Sequence, residues 1–379
     1  MRSRDNIVFT SLVGTVMFVG AGIMALVLLA SGAPNAIAIG VVLAALPVGP
    51  LIAAYLWLDR YEPEPRSLLL LGLGWGAFVA TSAALFLQAF DAFALGSSEA
   101  TQSVVVAPLT EEAAKGLFIL LLLIYRRAEL DGVLDGIVYA GMVGIGFAFM
   151  ENILYLSQAY VGDDSHVGGI EGTVVTFVIR GVFSPFAHPF FTAFTGIGLG
   201  IAVSSRSRFV RVAAPLLGYA IAVATHAAWN ASLLIDGGSG VLATYLMLMV
   251  PGFLVLVGFA IWSRRREGAL LAASLTDCAR RGFLHPFEVP WLARIPARRA
   301  CRRYAAQVGG QQAQEVMKRY QVEAIELGFL HHRYLRGTAP SNYRELGEAH
   351  VQRMFVLRPH LHWPPAAAVS APQAVGASR

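Results

Sequence analysis

The sequence predicts an all-α polytopic membrane protein with about eight transmembrane helices and a helical cytoplasmic tail at its C-terminus. Three observations carry this. The 379 residues are 56% hydrophobic and only 14% charged, against about 25% charged in an ordinary soluble domain. Residues 7–262 hold few ionisable groups, whereas 263–379 is rich in Arg, His and Glu. Apolar runs close to the roughly 20 residues that a helical span requires recur throughout the first 262 residues.

In chain order the runs fall at about 7–31, 36–58, 68–90, 103–125, 133–159, 173–203, 211–235 and 241–262. The first follows a basic N-terminus and reaches about Ala30. That is longer than the roughly 7–15 apolar residues of a signal peptide, so it reads as the first membrane helix. Turn chemistry separates the runs at Ser31–Pro34, Glu62–Pro65, Gly162–Ser165 and Asp236–Gly240. Arg2, Arg4, Arg60, Arg66, Arg126, Arg127, Arg206, Arg208, Arg211 and Arg264–Arg266 all fall in alternate connections. Basic residues mark cytoplasmic loops, so both termini are expected in the cytoplasm.

The division expected is a membrane domain over 1–262 with its core at about 103–235, a tail over 263–363, and a disordered end over 364–379, rich in Ala, Pro and Ser. In the tail, Val316, Tyr320, Ala324, Leu327 and Leu330 keep a helical period. The net charge of +5 belongs to loops and tail and is no nucleic-acid footprint. Cys278 and Cys301, 23 residues apart, fit neither a zinc motif nor a disulfide framework and are expected as reduced thiols.

Glu111, Glu112 and Lys115 lie inside the fourth run. A carboxylate at membrane depth costs roughly 2.5–3.5 kcal/mol even on the lenient insertion scale, so partners are required. With both termini inside, Glu111 and Glu151 each lie about eight residues, roughly 12 Å, from the outer ends of their helices. His226 and Asn230 lie at comparable depth on the seventh run, and His188 near the middle of the sixth. Glu, Glu, His and His thus converge from four helices in the outer half of the bilayer. Lys115 is i+4 from Glu111 and i+3 from Glu112 and can neutralise one of them. The other remains as a base. Adjacent residues point about 100° apart on a helix, so one of the two carboxylates is expected to face the histidines.

Each group also has a purely structural explanation: a Glu–Lys pair between helices, a packing pair at His226 and Asn230, a histidine at the break made by Pro185 and Pro189, a hydrogen-bonded Glu151–Asn152 knot, and Arg180 at an interface. Together they suit water activation, in which a carboxylate takes the proton and imidazoles hold water, bind a metal or stabilise an oxyanion. Two His and a Glu also make a catalytic zinc set. No His-Glu-x-x-His of a conventional zincin, no Gly-x-Ser-x-Gly and no aspartyl Gly-x-Gly-Asp occurs.

Glu111-Glu112-x-x-Lys115, Phe147-x-x-x-Glu151, His188 and His226-x-x-x-Asn230, in this order on successive helices, resemble the PrsW family of intramembrane proteases, related to the CAAX prenyl endopeptidase and bacteriocin-processing superfamily. The loop Asp59-Arg60-Tyr61-Glu62-Pro63-Glu64-Pro65 is also similar, and the resemblance covers about residues 50–235. The CAAX relatives carry a His where this chain has Glu151. The stretch Tyr320–Leu330 resembles actinobacterial members with a cytoplasmic helical extension.

The resemblance implies an endopeptidase in the bacterial plasma membrane that cuts a membrane-anchored protein, such as an anti-sigma factor, near the extracytoplasmic side. Glu111 or Glu112 would activate water, Asn230 would stabilise the oxyanion, and Lys115, Phe147 and Arg180 would support them. Glu151, His188 and His226 are the candidate ligands of a Zn2+ ion, and a metal-free glutamate mechanism fits the same residues. The partners implied are the substrate, the bilayer and a cytoplasmic regulator of the tail, with no nucleic acid. A transporter or proton relay is the main alternative, set back by cytoplasmic helix halves that read as almost wholly apolar. A non-catalytic scaffold is a further alternative, like the distantly related scaffold subunit of gamma-secretase.

Overall fold

The computed structural model describes residues 2–31, 33–127, 129–162, 168–235 and 239–365, with side chains from Ile7 onward. The expected disordered end lies outside these from residue 366, as do parts of the turns at 163–165 and 236–238 and the side chains of Arg2 and Arg4. No strand occurs among the described residues. The protein is an all-α polytopic membrane protein. Its chain divides into two compact units: Met1–Asp59 with Pro63–Ile261, and Arg60–Glu62 with Trp262–Arg379.

The first unit is built from α1 (Arg2–Ala30), α2 (Pro34–Leu58), α3 (Arg66–Ala94), α4 (residues 99–125), α5 (Val133–Val161), α6 (Gly169–Ser204), α7 (Arg208–Ser232) and the start of α8 (Ser239–Arg280). Among the described residues, seven helices are long and apolar enough to cross a membrane. The remaining segment, α4, is also helical throughout. It differs in carrying three charged residues, Glu111, Glu112 and Lys115, in its middle.

α5 is the axis of this unit. Its N-terminus is capped by Asp135, whose Oδ2 accepts from the backbone N–H of Asp131 at 2.9 Å and of Gly132 at 2.8 Å. From Leu134 to Ala148 every residue is buried. α5 meets α6 along a glycine seam. A Cβ on Gly136 would lie 2.1 Å from the carbonyl oxygen of Gly196, one on Gly196 would lie 2.1 Å from that of Gly136, and one on Gly200 would lie 2.5 Å from that of Gly132. Two small-xxx-small faces therefore pack backbone to backbone. Further along, a Cβ on Gly144 would lie 2.7 Å from Pro189 N, so α5 also closes on the chain beside His188.

α6 is broken at 184–186. A π-helical turn over Val178–Phe183 precedes the break, Ser184 Oγ donates to Ile179 O at 2.7 Å, and the helix restarts at Ala187 with Pro189 in its first turn. Proline is tolerated there because a first-turn N–H has no intrahelical partner. His188 is thereby fixed in the opening turn of a half-helix. α3 and α4 carry π-helical turns too, at Trp75–Ala80 and Gln102–Val106, a feature often found beside functional sites.

The other end of α5 departs from the expected apolar halves. Tyr139 is fully buried and its hydroxyl donates to Glu64 Oε2 at 2.5 Å, while Asp59 Oδ2 accepts from Glu64 N at 3.0 Å. The Asp59 and Glu64 carboxyls of this loop are thus both buried. Burial pushes Asp59 up to about 7, against the lowering effect of the Glu64 N–H. Burial, reinforced by Asp135, also holds Glu64 well above the usual carboxylate range.

The second unit holds the polar end of α8, α9 (Val289–Ala293), α10 (Ile295–Arg336) and α11 (Tyr343–Leu357). Tyr320, Ala324, Leu327 and Leu330 are buried as their period predicts. α10 is interrupted at Gly309 and Gly310, the latter at φ 69°, where a side chain would be strained. Cys278 and Cys301 are both buried and free. Burial pushes each thiol up to about 12.

A raised carboxyl pKa means that the folded chain keeps a proton the unfolded chain releases. Stability therefore falls as pH rises from about 4 to about 7 and is flat above. Asp59→Asn removes this loss while leaving an oxygen to accept the Glu64 N–H. Thermal unfolding in detergent should show the variant gaining more over wild type at pH 8 than at pH 4.

Candidate active site

α4, α5, α6 and α7 bring their ionisable residues to one place. Glu112 and Lys115 are wholly buried and Glu111 is 6% exposed. Lys115 Nζ sits between the helices. It donates to Glu112 Oε1 at 2.8 Å, to Glu111 Oε2 at 3.4 Å and to His188 Nδ1 at 3.0 Å. It also lies 3.7 Å from the centre of the Phe147 ring, a cation–π contact strengthened by the burial of both groups.

His188 is held from both sides. With Nδ1 accepting from Lys115, Nε2–H donates to Glu151 Oε2 at 2.6 Å. Glu151 in turn is paired with Arg180 Nη2, and Arg180 Nε donates to Asn152 Oδ1 at 2.8 Å. The Arg180 guanidinium lies 4.0 Å over the Tyr155 ring. Arg180 therefore belongs to the cluster, where it counters Glu151.

His226 is stacked on Phe191, with ring centroids 4.7 Å apart and planes 12° from parallel. Its Nδ1–H donates to Glu112 Oε1 at 3.1 Å, and its Nε2 is 3.8 Å from Glu111 Oε2. The expectation that one glutamate alone faces the histidines fails here. Both reach His226, one at each ring nitrogen, because long side chains bridge the angle between neighbouring positions.

The two glutamates differ in surroundings. Glu112 Oε2 accepts from Thr192 Oγ1 at 3.0 Å, so both of its oxygens are engaged by buried donors. Glu111 accepts a longer bond from Gln88 Nε2, 3.4 Å, and lines a cavity of about 550 Å³ together with Phe147, Glu151, Arg180, His188, His226 and Asn230. Asn230 Nδ2 donates to Ser103 O, 2.8 Å, in the π-helical turn of α4.

Sequence reasoning passed over Thr192, Gln88 and Trp75, whose Nε1 donates to Ala114 O at 2.9 Å. Thr192 was findable: it lies one turn after His188, on the same helix face. Gln88 is a polar residue inside an apolar run, and that is its only signal.

Among the described residues, Glu111, His188 and His226 are the group whose ligand atoms all come within 4.8 Å of one another. Two imidazoles and a carboxylate are a zinc donor set. His226 Nδ1 is hydrogen-bonded to the Glu112 carboxylate, the kind of partner that orients metal-ligating histidines. The residues present therefore fit a divalent cation, provided that His188 exchanges one of its two present partners. The set differs in one member from the sequence expectation: Glu151 is engaged by Arg180 and His188, and Glu111 stands in the group.

Removing Lys115 leaves two buried carboxylates without their shared cation. Loss of one member of a buried ionic set typically costs about 3–5 kcal/mol. Lys115→Met should lower thermal stability in detergent accordingly, and an unchanged unfolding profile would show that the ammonium is dispensable.

A family model described as PrsW family intramembrane metalloprotease matches residues 64–256, just over half of the chain and the whole of the cluster. Proteins named Protease PrsW are similar. The one from Geobacillus kaustophilus is 30% identical over 153 residues, 40% of this chain and 62% of the relative. The one from Bacillus subtilis is 31% identical over 117 residues, 31% of this chain and 53% of the relative. The Clostridioides difficile protein is 33% identical over 117 residues, covering 29% and 49%. The chain thus spans about half to three-fifths of the length of these curated relatives. No solved structure matches. With the motif residues gathered in one buried cluster inside the matched region, the chain belongs to the PrsW family of intramembrane metalloproteases.

Proposed function

We propose that the protein is an intramembrane endopeptidase that hydrolyses a peptide bond of a membrane-anchored protein, with Glu111 taking the proton from water. The observation that carries this reading is the contrast between neighbours: Glu111 lines the cavity, whereas Glu112 is wholly buried among Lys115, His226 and Thr192. In this reading Glu112 orients His226, and Lys115 holds Glu111 and His188 at the distance the chemistry needs.

A water beside Glu111 Oε2 and His226 Nε2, which are 3.8 Å apart, touches both. Its oxygen attacks the scissile carbonyl carbon as Glu111 accepts its proton. The negative charge that develops on the carbonyl oxygen meets the second amide hydrogen of Asn230, the first being used on Ser103. Glu111 then returns the proton to the leaving nitrogen, and the peptide C–N bond breaks. A zinc ion held by Glu111, His188 and His226 would add Lewis acidity at that carbonyl.

Loop charge supports termini in the cytoplasm and a site in the outer half of the membrane. A single-span protein cut near its extracytoplasmic side, such as an anti-sigma factor, is the substrate this favours. A proton relay is less well supported. Between Tyr139 and Glu151, residues 140–150 of α5 contain no ionisable side chain.

The test is cleavage of a tagged single-span substrate by the purified full chain in detergent. A positioned general base contributes about 100-fold or more, so Glu111→Gln should reduce turnover by at least that factor while the protein stays folded. Cleavage by Glu111→Gln at the wild-type rate would sink the assignment. Zinc retained by the same two preparations should fall in the variant if the trio holds the ion. Equal zinc in both would put the ion elsewhere.

A further inference from the structure

The cavity extends well beyond the reacting groups. Its wall includes Phe147, Glu151, Leu154, Tyr155 and Gln158 of α5. These positions recur at helical spacing and form one stripe along the helix. α5 is buried without a break from Leu134 to Ala148, but farther along Tyr155, Gln158 and Val161 are exposed. Gln158 is therefore not held there by packing, and no hydrogen bond ties its side chain among the described residues.

A membrane-anchored substrate reaches such a site as a helix and must unwind before any of its peptide bonds can be cut. Unwound backbone away from water has N–H and C=O groups that cost several kcal/mol each unless paired. A glutamine amide offers a donor and an acceptor on one side chain, which is the complement of a main-chain peptide group. The cavity measures about 550 Å³. That is room for a short length of extended chain.

We propose that Gln158 binds a main-chain peptide group of the unwound substrate, about three residues from the bond that is cut. The distance follows from geometry. Seven helical residues separate Gln158 from Glu151, which bonds His188 beside Glu111 and His226; that is about 10.5 Å at 1.5 Å per residue, and an extended chain covers about 3.4 Å per residue. Gln158 is thus a substrate-binding residue that recognises backbone and tolerates any side chain. This rests on the protease reading above.

The experiment uses the full chain in detergent and a semisynthetic single-span substrate. A set of substrates replaces, one at a time, each peptide bond within four residues of the cut by an ester, which removes an N–H donor. Gln158→Leu is expected to lower kcat/KM three- to tenfold, the usual size of one hydrogen bond, through KM with kcat nearly unchanged. The ester about three residues from the cut should lower wild-type kcat/KM by a similar factor and leave the variant's unchanged. Gln158→Leu with wild-type kinetics, a loss confined to kcat, or ester and side-chain losses that multiply at every position would each overturn the inference. A wild-type chain that cuts no substrate would remove the protease reading and this one with it. An active wild type with an indifferent Gln158 removes this inference alone.

Discussion

One ammonium group holds the membrane unit's polar centre together. Lys115 Nζ lies within hydrogen-bonding reach of Glu111, Glu112 and His188 and against the face of Phe147, with no exposure to solvent. Without it, α4 would bring two buried carboxylates together without their shared cation. With it, the same charge that makes α4 tolerable also dictates the state of its neighbours. It turns the lone pair of His188 Nδ1 inward, so that Nε2–H is left to meet Glu151, and Glu151 then requires Arg180. Five residues on three helices are thus ordered from one cation outward.

Such a network needs backbones closer together than ordinary side chains allow. The seam of Gly132, Gly136, Gly196 and Gly200 supplies that closeness between α5 and α6. In a bilayer, where apolar side chains gain nothing by leaving lipid, close backbone contact is one of the few ways helices hold each other. The break at 184–186 has a related effect. It interrupts α6 at the level where His188 must turn toward Lys115 and Glu151, and the two prolines make a continuous helix there unfavourable.

Two adjacent glutamates end in different environments because of what surrounds them, not because of what they are. Thr192 and His226 close around Glu112, and the cavity opens beside Glu111. This separates a wholly enclosed carboxylate from one that borders the cavity. The cavity continues along α5 to Gln158, so the wall that holds Glu151 runs on past the ionisable cluster.

Much of this was legible in the residues themselves. Apolar run length determines helices, and three charges inside one of them announce a buried cluster, because lipid penalises charge without a partner. The i,i+3 and i,i+4 spacing of Glu111, Glu112 and Lys115 made their pairing a matter of helix geometry alone. Tertiary structure decided what periodicity does not encode. Which carboxylate borders the cavity, whether Glu151 or Glu111 joins the two histidines, and where Arg180 points all depend on contacts between helices far apart in sequence. The inward fold of Asp59 and Glu64 belongs here too: by composition their loop is polar, and only its packing against Tyr139 buries it. Local sequence sets helix length and face, while side-chain partners across a seam are chosen by how closely two backbones approach.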